Sequence, residues 1–192
     1  PLPERVRLAL ARDMEHHRKQ GFKDLLAEVQ DDLKTLFCTA QPVIPLTSSG
    51  TGAMVSAVQG LLEAGDKALI IEAGKFGSRW VGICESHGVL PDVMSLEWGR
   101  AVDPVQVAER LKETSYKVVF VQASETSTGV LHPVRELAAL TQKTDTLLVV
   151  DGISAVGISP LPMDEWGIDC LLTGSQKGLM LPPGLAMISL SE

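Results

Sequence analysis

The sequence predicts an α/β protein built on a mostly parallel sheet with both faces covered, a three-layer arrangement. Three observations carry this. From about residue 41 onward, short apolar runs alternate with helix-length stretches, the rhythm of strand–helix–strand units. Runs such as LLVV (147–150) are apolar without interruption, as a strand buried on both sides requires. Finally, 45% of the 192 residues are apolar, enough for one sizeable core and too little chain for two large domains.

The elements follow in order. A first helix is expected over 4–19. Residues 22–37 space Phe22, Leu25, Leu26, Val29, Leu33, Leu36 and Phe37 by threes and fours, the stripe of an amphipathic helix. Strands are expected at 43–46, 68–73, 89–96, 117–123, 146–152, 169–175 and 185–191. Helices are expected near 51–64, 76–87, 104–114 and 133–143. The third of these has a clear start in DPVQ, with Asp103 as cap and Pro104 at the first helical position. No internal repeat, low-complexity tract or linker interrupts the pattern.

Charge and cysteine usage narrow the function classes. A net charge of −7 and an isoelectric point near 5.1 argue against the basic face that nucleic-acid binding needs. No apolar run approaches a membrane span, and the first residues are charged too early for a signal peptide. Cys38, Cys84 and Cys170 lack paired spacing and read as small buried hydrophobes in a reducing compartment, so a cytoplasmic location is expected. His16, His17, His87 and His132 show no metal spacing and read as surface or structural groups, so no metal site is expected. Trp80, Trp98 and Trp166 read as packing.

In open α/β sheets, ligands gather beyond the carboxyl ends of the strands, and three places there stand out. TSSGTGAM (47–54) puts small residues and two glycines at the opening of a helix, a candidate anion cradle or simply a tight turn. Asp151 ends the apolar run TLLVV, where a carboxylate is costly without a cation or strong donor; it also fits a turn or cap. Lys177 stands in TGSQKGLMLPPGL with no carboxylate between Asp169 and Glu192. A dinucleotide site is one reading, with Gly50-Thr51-Gly52 and Glu72 some twenty residues on, but Val55 occupies the third glycine position and Asp151 and Lys177 are left without work. Pyridoxal phosphate uses all three places: an amine for a Schiff base, an acid for the pyridine nitrogen and an anion site for the phosphate.

TSSGTGA (47–53), ETSTGVLHP (125–133) and the run from 149 to 191 containing TGSQK together resemble the class V, fold-type I aminotransferases, most closely the alanine–glyoxylate and serine–pyruvate branch. The chain also resembles bacterial relatives labelled soluble hydrogenase subunits. The resemblance implies pyridoxal 5′-phosphate as cofactor, with Lys177 as the Schiff-base lysine and base, and Asp151 as partner of the pyridinium. It implies Ser49, Gly50 and Thr51 as the phosphate turn, Gln176 as a phosphate ligand, and Thr126 as the hydroxyl near the cofactor's phenolic oxygen. Phe76 takes the place of an aromatic ring stacked on the pyridine, in relatives often tryptophan.

The implied activity is transfer of an amino group between alanine or serine and glyoxylate or pyruvate, in a homodimer. The alternatives are a lyase of the cysteine desulfurase kind and a non-catalytic subunit. By the same resemblance, 1–192 corresponds to an incomplete cofactor-binding large domain. Helices occupy 1–40 and the α/β core 41–192, without the small C-terminal domain and the arginine that grips the substrate carboxylate. Such a chain is expected to show an unpaired sheet edge and bared apolar helix faces.

Overall fold

The structure, a computed structural model, describes residues 2–192. Its centre is a seven-stranded sheet in the order β1-β9-β8-β7-β4-β2-β3. The strands are β1 (Val43–Leu46), β2 (Lys67–Glu72), β3 (Leu90–Ser95), β4 (Val118–Gln122), β7 (Leu147–Asp151), β8 (Cys170–Gly174) and β9 (Ala186–Leu190). A small hairpin, β5 (Ser124–Glu125) with β6 (Val130–Leu131), stands apart. Neighbours from β8 to β3 run parallel, and β9 lies antiparallel between β1 and β8. The last strand is therefore an interior strand, and the two edges are β1 and β3.

Two apolar layers sandwich the sheet. On one face, Ala53, Met54, Ala57 and Val58 of α3 (Gly50–Leu61) and Trp80, Ile83 and Cys84 of α4 (Gly77–Ser86) pack on Ile70, Phe120, Val149 and Leu172. Trp80 stacks on Phe120 with ring centroids 4.2 Å apart. On the other face, Leu33 and Phe37 of α2 (Gln20–Phe37), Val107 of α5 (Pro104–Glu113), Leu137 and Ala138 of α6 (Val134–Thr141) and Met163 of α7 (Met163–Trp166) pack on Leu69, Ile71, Val119, Val121, Leu148 and Val150. Successive residues of β2, β4 and β7 thus serve opposite layers, the period-two geometry of a strand. Fully burying side chains of this size is worth roughly 1.5–3 kcal/mol each, so the uninterrupted apolar runs are what bind the three layers together.

Some expectations need correction. The first helix, α1, spans only Glu4–Leu10, because residues 12–19 (RDMEHHRK) offer no apolar stripe to hold against anything. Cys84 and Cys170 are buried as expected, but Cys38 is exposed. It closes α2 at a left-handed φ of 51°. Trp98 is 60% exposed and does not pack in the core. His132 is buried and structural, its Nδ1 accepting the Val102 N–H at 3.1 Å. Asp103 caps α5 as expected, its carboxylate accepting the Val105 N–H at 2.9 Å. Bared apolar side chains do occur, at Leu8 and Leu10 on α1 and Leu25 and Leu26 on α2. Among the described residues, no helix is long and apolar enough to cross a membrane.

Candidate active site

A cavity of about 240 Å³ opens at the carboxyl ends of the parallel strands. Ser49, Gly50, Thr51, Phe76, Thr126, Asp151, Gln176 and Lys177 all line it. The topology explains the gathering. β7 and β8 are parallel neighbours, with Asp151 opposite Leu172, so the residues just past each strand emerge side by side. The start of α3 follows β1 closely, and the turn carrying Phe76 leaves β2.

Asp151 is 4% exposed. Its Oδ1 accepts the Ile153 N–H at 2.9 Å, the carboxylate's one hydrogen bond among the described residues. Burial pushes its carboxyl from an ordinary 3.8 up to about 6, opposed by the Ile153 N–H. Of the nearby charges, Glu125 adds to the rise, whereas Arg79 and Lys177 oppose it. A buried acid with one oxygen committed and a cavity before it suits a cationic ring nitrogen.

The loop that carries Lys177 is tied down by its own backbone. The Ser175 N–H donates to the Leu185 carbonyl at 2.9 Å, the Leu181 N–H to the Ser175 carbonyl at 3.0 Å, and the Met180 N–H to the Lys177 carbonyl at 3.0 Å. Ser175 Oγ donates to the Pro182 carbonyl at 2.5 Å. Gly178 lies so close to the neighbouring turn that a Cβ there would stand 2.3 Å from the Val156 carbonyl oxygen. Lys177 itself is half-buried, within the field of Asp151 but without an ion-pair contact to it among the described residues.

At the other end of the cavity, α3 begins at Gly50. The Ser49 hydroxyl accepts the Gly52 N–H at 3.4 Å, a long capping contact. A Cβ on Gly50 would stand 2.3 Å from Cδ1 of Ile153, so glycine keeps the helix start and the cavity wall in contact. The backbone N–H groups at the start of a twelve-residue helix favour an anion, and a guanidinium stands beside them. Arg79 Nη1 donates to Thr51 Oγ1 at 2.8 Å and its guanidinium carbon lies 4.9 Å from the centre of the Phe76 ring. The donor set therefore fits pyridoxal phosphate: an acid, an amine, an anion cradle with a cation, and apolar walls from Phe76 and Ile153.

Four cavity-lining residues escaped the sequence reading: Arg79, Ser124, Ile153 and Ser154. Ser154 and Thr126 share a hydrogen bond of 2.5 Å between their hydroxyls. Arg79 lies one helical turn past Phe76, and that spacing was the available signal. Glu72, the acid of the dinucleotide reading, is not among the cavity-lining residues. It accepts a hydrogen bond from Ser95 Oγ at 2.7 Å.

An acid and a lysine just past adjacent strand ends, facing a helix start across one small cavity on a three-layer α/β fold, form an arrangement that a pyridoxal-phosphate type of site would fit. The family comparison agrees: the model described as "Aminotransferase class-V" matches residues 7–192, and the chain belongs to that family, which is pyridoxal-phosphate-dependent. Among curated relatives, a serine–glyoxylate aminotransferase of Hyphomicrobium methylovorum is 40% identical across all of this chain and 49% of its own. A protein called soluble hydrogenase, small subunit, from Synechococcus sp. is 37% identical across all of this chain and 51% of its own. Among solved structures, an alanine–glyoxylate aminotransferase from Nostoc sp. superposes with a TM-score of 0.96 at 30% identity, over all of this chain and 51% of that one. The chain thus spans about half the length of the relatives it matches.

Proposed function

We propose that this chain is the cofactor-binding part of an aminotransferase that passes an amino group from serine or alanine to glyoxylate. Pyruvate is the other acceptor to consider. The observation that carries the reading is the convergence of Asp151, Lys177 and the start of α3 on one cavity. Glyoxylate is favoured because the names of both aminotransferases compared above include it.

When bound, the cofactor supplies a protonated pyridine ring that withdraws electrons from the substrate's Cα. Asp151 is the group that keeps the ring nitrogen protonated, because a pyridinium beside it relieves the cost of its buried charge. Lys177 would provide the amine that holds the cofactor covalently until the substrate's amino group displaces it, and the amine so freed would take the proton from the substrate's Cα. Thr126, oriented by Ser154, offers its hydroxyl to the phenolic oxygen. Ser49, Gly50, Thr51 and Gln176 hold the phosphate, and Phe76 and Ile153 close on the ring. The intact protein is proposed to be a homodimer in the cytoplasm.

The test is product analysis with the full-length protein. Serine or alanine with glyoxylate should give glycine and the matching 2-oxo acid. Alanine and sulfide from cysteine would point to a desulfurase instead. Cofactor binding without amino transfer to any 2-oxo acid would favour a subunit role, the reading that the hydrogenase-named relative keeps open.

A further inference from the structure

We propose that Arg79 is the cation that compensates the cofactor's phosphate, held ready for it by Thr51 and Phe76. The inference rests on the pyridoxal-phosphate reading above and goes beyond it in assigning a residue.

Arg79 sits in the first turn of α4, a different element from those that carry the phosphate turn and the lysine. One of its five N–H groups is spent on Thr51 Oγ1 at 2.8 Å, and no other hydrogen bond from its guanidinium is found among the described residues. None of their carboxylates lies within ion-pair distance of it. Half-buried and lining the cavity, it is a partly desolvated positive charge that no carboxylate among the described residues pairs, a costly arrangement unless a ligand supplies the anion. The side chain is also restrained before any ligand arrives. The Phe76 ring supports it on one side at 4.9 Å, and Thr51 fixes its end at the second residue of α3. The anion that meets it there meets the free N–H groups of the same helix start, and a planar fork of donors matches phosphate oxygens well. Thr51 is thereby shared: it receives a hydrogen bond from Arg79 and keeps its own proton to donate to the phosphate.

The test compares binding of pyridoxal phosphate and of pyridoxal, which lacks the phosphate, to the cofactor-free full-length protein by absorbance titration. Wild type is expected to prefer pyridoxal phosphate strongly. R79Q and R79M should weaken pyridoxal phosphate on the order of 10- to 100-fold, the scale of a charged hydrogen-bonded pair. They should change pyridoxal by less than about threefold. R79M keeps the length that packs on Phe76, so it answers the question where R79Q fails to fold, and R79K should recover part of the preference. Equal losses for both ligands would overturn the proposal and make Arg79 a prop for Phe76 and Thr51. An unchanged preference in the variants, with KM for the amino acid raised, would also overturn it and move Arg79 to the substrate carboxylate. A wild type that binds both ligands alike would instead defeat the phosphate reading of the whole cavity.

Discussion

The carboxylate of Glu125 sits on the first turn of α4, its Oε2 accepting the N–H of Gly77 at 2.9 Å and that of Phe76 at 3.1 Å. Oε1 takes the Ser127 hydroxyl at 2.6 Å and the Ser127 N–H at 3.1 Å. A fully buried carboxylate is thus satisfied by a helix start and a hairpin turn together, and this junction aims Phe76 and Arg79 into the cavity.

Replacing Glu125 with Gln is expected to destabilise the fold by roughly 2–4 kcal/mol, because an amide nitrogen would face N–H donors in place of one carboxylate oxygen. It should also lower the Asp151 carboxyl, since the Glu125 charge raises it. Denaturant unfolding of the variant, with infrared titration of Asp151, checks both effects. A fully stable variant would mean that the junction is not what holds α4.

Asp151 should make the cofactor-free protein pH-sensitive. The folded chain keeps the Asp151 proton up to about pH 6, whereas an exposed aspartate ionises near 3.8. Between those values the folded state binds more protons than the unfolded state, so stability falls as pH rises through the window and stays lower above it. The difference of about two pH units caps the effect at roughly 3 kcal/mol. Asp151→Asn keeps an oxygen for the Ile153 N–H and avoids the penalty. Without cofactor it is expected to be more stable than wild type at pH 7.5, with the gap closing near pH 4, while amino transfer falls at least about 100-fold. Unfolding curves at the two pH values decide it: a gap that does not change with pH contradicts the burial account.

Gly178→Ala is expected to cost about 1–3 kcal/mol, the usual penalty for overpacking, because its Cβ would meet backbone at the Val156 carbonyl rather than a side chain that can turn aside. The displaced lysine loop should weaken cofactor binding more than it weakens the fold. Normal affinity in the alanine variant would show that the loop has slack.

The 192-residue chain alone is expected to associate. Leu8 and Leu10 are each 62% exposed, Met180 is 53% exposed and Leu185 41%. Around Leu10 and Leu185, α1 and the loop beyond Lys177 form an open groove of about 760 Å³ lined by Val6, Ala9 and Leu181. Apolar surface of this kind seeks cover. Sedimentation velocity over a range of concentrations tests it, and a monodisperse monomer throughout would count against the expectation.

Most of the sheet, and with it Asp151 and the place of Lys177, was legible in the sequence for one physical reason, whereas Phe76, Thr126 and Gln176 came only from the family resemblance. Strands buried on both faces carry few polar groups, so LLVVD and CLLTG announce both the strand and the point where it ends at Asp151 or opens toward Lys177. The antiparallel place of β9 was not legible, since AMISL reads the same in either direction. Nor was the β5–β6 hairpin, whose strands are two residues each and too short to show a period. Arg79 was missed because its role comes from Thr51 and Phe76, brought together only by the packing of α3 beside α4. Glu125 lay inside a quoted motif, yet its work is done on the N–H groups of a helix start 48 residues away.

The most direct measurement is reductive trapping. The full-length protein is mixed with pyridoxal phosphate, reduced with borohydride and digested, and the modified lysine is located by mass spectrometry. The account predicts label confined to the peptide containing Lys177 and lost in Lys177→Ala. Label spread over surface lysines such as Lys23, Lys112 and Lys143, and unchanged in that variant, would contradict it.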